Sequence, residues 1–293
     1  MADFYLPRES SMIDLTSISK TDLDARICPH YGNLLFARSL EVISNGNDLL
    51  WMLGRYVQFN SVFVGGVVNL AGEIAGRQNL FRDPQESVAA LGDRSVEVAA
   101  TILFAGVDEF RDRVTHHRGT HRALAQAMLK GAGRFFGFEA KVLDGLTRSD
   151  ASTVTAMTKV LNGYGVSQTL DDHKLFDAIG FHVASEYLAD SEFRILDAFL
   201  RSKHSNLVER LEQTKEKIGS KRHPAYLWIR LHTTVEQEHY AVAMRGANRA
   251  LRYYAGTESR DGVKRRILGG AERFAVIQAE FMQRLARQPS TPK

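Results

Sequence analysis

Apolar residues in this chain recur at spacings of three and four, over stretches too long for ordinary strands. Within residues 85–117 they fall at Val88, Leu91, Val96, Ala99, Ile102, Leu103 and Val107, and Gly92 and Gly106 are the two glycines. That spacing lays a single apolar stripe along a helix, whereas a half-buried strand needs strict alternation. Comparable patterns cover 33–54, 57–74, 122–136, 152–162, 170–190, 192–218, 225–254 and 263–287. Turn-forming residues separate them: Phe81-Arg-Asp-Pro84, Gly119-Thr120, 147–152, 162–168, 219–224 and 256–262. No alternating apolar run and no flanked Asn-Gly or Asp-Gly hairpin is found. The expectation is an all-α protein of eight or so helices. It is read as an irregular arm at 1–30, one helical-bundle domain at 31–288 and a frayed tail at 289–293.

Composition narrows the function classes. The chain is 293 residues long, 44% hydrophobic and 25% charged, which is globular composition and not that of a disordered chain. Its single cysteine, Cys28, excludes an internal disulfide framework and a thiolate zinc site. No apolar run reaches the ~18 residues of a membrane span, and the N-terminus lacks a charged-then-apolar signal layout. A cytoplasmic protein without membrane partners is therefore expected. Lys and Arg number 38 against 34 Asp and Glu, too mixed a surface to indicate nucleic acid. The basic segments 215–223 and 260–266 read as solvated faces, and Arg134-Phe-Phe-Gly-Phe138 as core.

The segment His232-Thr-Thr-Val-Glu236-Gln-Glu-His239 carries the chemistry. On a helix Glu236 lies about 40° from His232, and His239 about 60° from Glu236 on the His232 side. All three point from one stripe over two turns. Imidazole and carboxylate together suit iron, manganese or zinc. In a chain of this composition the pattern arises by chance about 0.04 times. Two His and a Glu on an apolar helix are also costly to bury without a role.

A second pair, Glu109 and His116, is seven residues apart, about 20° around a helix, and follows the apolar run 102–107. Asp197/His204 and Glu216/His223 share that spacing. The former sits on a charged helix face, and the latter beside Pro224 and the break at 219–224. A third candidate is Glu186, isolated among Phe176, Ile179, Val183 and Leu188, with His182 one turn away. Asp112 and Tyr240 are neighbours able to steady the ligands, and Arg113 could meet a substrate carboxylate.

Glu-x6-His on one helix, Glu on a second and His-x3-Glu-x2-His on a third, in that order, resembles the haem-oxygenase-like dimetal oxidases and oxygenases. The resemblance covers roughly residues 85–254 and rests on Glu109, His116, Glu186, His232, Glu236 and His239. It implies a bundle of about seven core helices, here with extra N-terminal helices, commonly dimeric. It implies two Fe(II) ions, with manganese as the other occupant, O2 as co-substrate and no haem. The reaction implied is oxidation of a small substrate: desaturation, cyclisation or N-oxygenation of a free amino acid or amine in preference to a fatty acid. Natural-product biosynthesis is the implied setting, with an external electron donor as a further partner. Three rivals stand beside it: a metal-free helical binding protein, a thiaminase-like hydrolase using Cys28, and a true haem oxygenase using His30.

Overall fold

The computed structural model describes residues 17–86, 88, 92–110 and 119–286. The protein is predominantly helical, with one small hairpin. Its first helix, α1 (Lys20–Ile27), lies inside the stretch expected to be irregular. A capping box starts it: the Ser19 hydroxyl accepts from the Asp22 amide, and the Asp22 carboxylate accepts from the Ser19 amide. Leu23 and Ile27, one turn apart, then enter the core. After a short 3-10 turn (Cys28–His30) come α2 (Gly32–Glu41) and α3 (Gly46–Asn60). The sequence pattern suggested one helix here. Asn45 breaks it, its side chain accepting from the Asp48 amide to cap α3.

Next come α4 (Phe63–Ala75), α5 (Asp93–Phe110), α6 (His121–Phe135), α7 (Ala140–Thr147) and α8 (Ala151–Gly163). The short α7 was not expected from the pattern. The helix expected over 85–117 begins only at Asp93, after the turn at Gly92, whose φ of 77° few residues other than glycine adopt readily.

The helix α9 (Asp172–Lys203) runs unbroken through the boundary expected near residue 191. It holds no proline, and Phe193, Leu196 and Leu200 continue its buried stripe past Glu192. Beyond α10 (Ser205–Glu212), strands β1 (Lys215–Ile218) and β2 (Lys221–Pro224) replace the expected helix end and break. Gly219, at φ 58°, allows the two-residue turn that closes the register at Ile218 opposite Lys221. Glu216 and His223 are thus cross-strand partners, both buried, with Arg134 2.9 Å from Glu216. Pro224 ends β2 and does not open a helix. The long α11 (Leu227–Tyr253) and α12 (Arg260–Leu285) complete the fold.

A contiguous apolar core joins residues from Ile18 to Leu285. At its centre α9 lies between α11 and α12. Gly180 of α9 faces the Ile267 carbonyl, and Gly270 of α12 faces the Asp177 carbonyl, so closely that neither position admits a Cβ. On the other side Tyr56 (α3), Phe193 (α9) and Trp228 (α11) interlock through ring contacts of 5.1–6.0 Å. These contacts fix the azimuth of α9 against α11, which sets the geometry of the polar site between them. Among the described residues no helix is long and apolar enough to cross a membrane.

Candidate metal centre

A cavity of about 190 Å³ opens between α5, α6, α9 and α11. Helix α9 lines it with Ser185, Glu186, Ala189, Glu192 and Phe193. Their spacing makes them one face of the helix. Helix α11 contributes Trp228, His232, Glu236 and His239 at the same periodicity. Glu109 enters from the last turn of α5, and His121 and Arg122 from the first turn of α6.

The side chains form two groups. In one, a ligand atom each from Glu109, His121 and His232 lie within 4.8 Å of one another; in the other, those of Glu186, Glu236 and His239 do. His121 Nδ1 is 2.9 Å and His232 Nε2 is 3.7 Å from Glu109 Oε1. His239 Nδ1 is 3.6 Å from Glu186 Oε2 and 3.5 Å from Glu236 Oε2. Glu236 belongs to both neighbourhoods, because its Oε1 lies 3.7 Å from His232 Nε2.

The hydrogen bonds specify what these groups can bind. His232 Nδ1–H donates to the Trp228 carbonyl at 2.7 Å, which leaves Nε2 with a lone pair in the neutral ring. That lone pair faces the carboxylates of Glu109 and Glu236. Bases facing one another in a buried site repel unless a cation stands between them. His121 Nε2 is buried and has no hydrogen-bond partner. Three carboxylates and three imidazoles drawn from four helices suit first-row divalent metals and fit a dimetal occupant.

The ionisation behaviour has the same cause. Burial raises the Glu109 carboxyl, but the charges and hydrogen bonds of His121 and His232 outweigh it and hold the group well below the usual carboxylate range. Burial is likewise overcome at Glu186, where His239 and His182 lower the carboxyl. At His232 burial opposes the charge, yet Glu109 and Glu236 raise the ring above its ordinary value. Only protons are available to neutralise these contacts here, and a divalent ion would replace them.

Five of the six residues chosen from sequence, Glu109, Glu186, His232, Glu236 and His239, meet in this cluster. His116, Asp112 and Arg113 lie outside the described residues. His182, fully buried, sits 3.5 Å from Glu186 Oε1 and 3.3 Å from the Tyr164 hydroxyl, beside the ligand it was expected to steady. Tyr240 is turned away from the cluster. Its ring packs on Tyr187 at 4.8 Å, on the side of α11 next to α1. Cys28 is exposed in the 3-10 turn, and His30 lies 3.7 Å from Glu272; neither lines the cavity.

Two cavity residues escaped the sequence reading. His121 follows the Thr120 cap of α6, twelve residues beyond Glu109 and across a break, so helical spacing could not join them. Glu192 was read as the opening charge of a new helix. Counted along a continuous α9, it falls on the Ser185–Glu186–Ala189 face, and that periodicity was the available signal. No family model matches this chain, and no curated protein or solved structure matches it either.

Proposed function

We propose that this protein is an O2-dependent dimetal oxidase or oxygenase of the haem-oxygenase-like kind, acting on a small amine or free amino acid. The observation that carries the reading is the pair of His/Glu groups joined through Glu236 beside a cavity of substrate size. One metal would be held by Glu109, His121 and His232, the other by Glu186, Glu236 and His239. Bound Fe(II) would supply electrons and open positions for O2. The ligand order along the chain (α5, α9, α11) supports the resemblance seen in the sequence. His116, which that resemblance sets beside Glu109, competes with His121 for one ligand position. An external electron donor and a homodimer belong to the same proposal.

The chain's own residues do the rest. The Trp228 carbonyl holds the His232 ring in the tautomer that presents Nε2. His182, itself fixed by Tyr164, flanks the Glu186 carboxylate and limits its rotation. Phe193 stacks on His232 at 4.1 Å, and Trp228 packs edge-on at 5.5 Å, which keeps water from that side of the ring. Arg122 stands exposed at the cavity opening, its guanidinium 3.2 Å from Gln58.

The test is an anaerobic Fe(II) titration followed by oxygen, on wild type and His239→Ala. The expected result is two irons per chain in the wild type, a transient or ferric visible band after oxygen, and loss of the band in the variant. Iron binding indifferent to His239→Ala would overturn the assignment. His116→Ala and His121→Ala, counted the same way, identify which of them ligates. A monomeric mass by light scattering would reject the dimer.

A further inference from the structure

Glu192 is the one acid lining the cavity that has no part in either ligand group. It is 4% exposed and sits in the middle of α9. Its two oxygens have separate donors: the Tyr56 hydroxyl donates to Oε2 at 3.0 Å, and the Gln278 amide nitrogen donates to Oε1 at 2.6 Å. Gln278 is held in turn, since the same nitrogen also donates to Asn33 Oδ1 at 2.6 Å. A carboxylic acid must use one oxygen as a donor, whereas a carboxylate only accepts. Donors aimed at both oxygens therefore select the anion. Yet among the described residues Glu192 has no Lys, Arg or His within ion-pair distance.

A buried anion that is held by neutral donors beside a cavity lacks one thing, a cation, and the cavity is where one can arrive. We infer that Glu192 is the cation-binding anchor of the cavity and takes the ammonium group of a primary-amine ligand. The ligand class follows from the surroundings. Phe193 and Trp228 line the same wall, so the carbon chain of an alkylammonium has an apolar surface while its head meets the carboxylate. The cavity excludes bulky amines by its volume of about 190 Å³. Burial pushes the Glu192 carboxyl up to about 7 even though Gln278 and Tyr56 oppose it, as expected of an anchor still without its cation. The inference deepens the amine reading above and rests on it only in taking this cavity as the substrate site.

The experiment is calorimetric titration of n-butylammonium and butan-1-ol into the full-length protein, metal-free and again with Zn(II). In the wild type n-butylammonium should bind at least about tenfold more tightly than the alcohol. Glu192→Gln keeps the side-chain shape and should erase that preference. Equal affinities in the wild type would overturn the inference. So would a preference that Glu192→Gln keeps and Glu236→Gln removes, because the ammonium would then be sitting among the metal ligands. Should Glu192→Gln fail to fold, a crystal structure of the wild type with n-butylammonium decides the matter. Nitrogen within hydrogen-bond reach of a Glu192 oxygen supports it, and nitrogen at Glu109 or Glu236 refutes it. The metal-free arm reads the anchor whether or not iron binds, so failure here and failure of the dimetal reading give different results.

Discussion

Glu186, Glu236 and His239 come from the interiors of α9 and α11, whereas Glu109 is the next-to-last residue of α5 and His121 the first of α6. An interior residue is held by backbone hydrogen bonds on both sides and, here, by two helices packed along their lengths. A residue at a helix end is held on one side only and has unpaired backbone groups beside it. Only His232 gives the second group an interior anchor. The difference teaches that one half of the site is preorganised by the fold, and the other half reaches its geometry when a ligand draws two helix ends together. The interior group should therefore bind the first metal equivalent, and the group at the helix ends the second.

The largest effect should come from Glu236→Ala, because this carboxylate faces His232 through one oxygen and His239 through the other. Both groups lose a partner, and bound iron should fall below one per chain. If one iron stays tightly bound, the two groups are independent, and the comparison holds without its link. The single-group variants come next. His121→Ala should leave one ion bound with the tighter wild-type affinity, and His239→Ala one ion bound about 10- to 100-fold more weakly. Competition with a calibrated chelator measures both. The reverse order would mean that the helix-end group is the preorganised one.

Gly180→Ala tests the packing that holds the interior group. A methyl there must push against the Ile267 carbonyl of α12, so backbone has to move. The expected cost is about 3 kcal/mol, or a melting temperature lower by roughly 6–10 °C. In the surviving folded protein, affinity at Glu186/Glu236/His239 should weaken more than at the other group. Equal weakening of both would show that α9 is not what sets them apart.

The fold class was legible because helix periodicity is written in residues close together in sequence. The three ligands of α11 were legible for the same reason, since two turns of one helix bring His232, Glu236 and His239 to one stripe. Glu186 was legible as a lone acid among apolar neighbours. Contacts made across chain breaks were not. His121 meets Glu109 only because α6 returns beside α5, and no local spacing encodes that return. The hairpin at Lys215–Pro224 was hidden by its charges, since only Glu216 and His223 point inward and each looks polar. Glu192 was hidden by an assumed break in α9. Asp190 and Glu192 resembled the acidic start of a new helix, and only the burial of Phe193 and Leu196 beyond them shows the helix continuing.

Glu192 also sharpens the comparison through pH, with a smaller effect and a sign opposite to that of the ligands. In the metal-free protein Glu109 and Glu186 have carboxyls below their ordinary value. Their contribution to stability is present above pH ~4.5 and is lost as pH falls. The Glu192 carboxyl is raised to about 7 by burial, with the Glu236 charge adding to the rise. Its protonated form is favoured in the folded state, so its contribution is full below pH ~4.5 and disappears as pH climbs through about 7. At most this is about 3 kcal/mol, at about 1.4 kcal/mol per pH unit. Urea unfolding of metal-free wild type and Glu192→Gln, followed from pH 5 to 8, separates the terms. The wild type should lose stability relative to the variant across that window, and the gap should stop widening above pH ~7.5. Parallel curves would mean that Glu192 has an ordinary carboxyl and that its hydrogen bonds to Tyr56 and Gln278 already offset its burial.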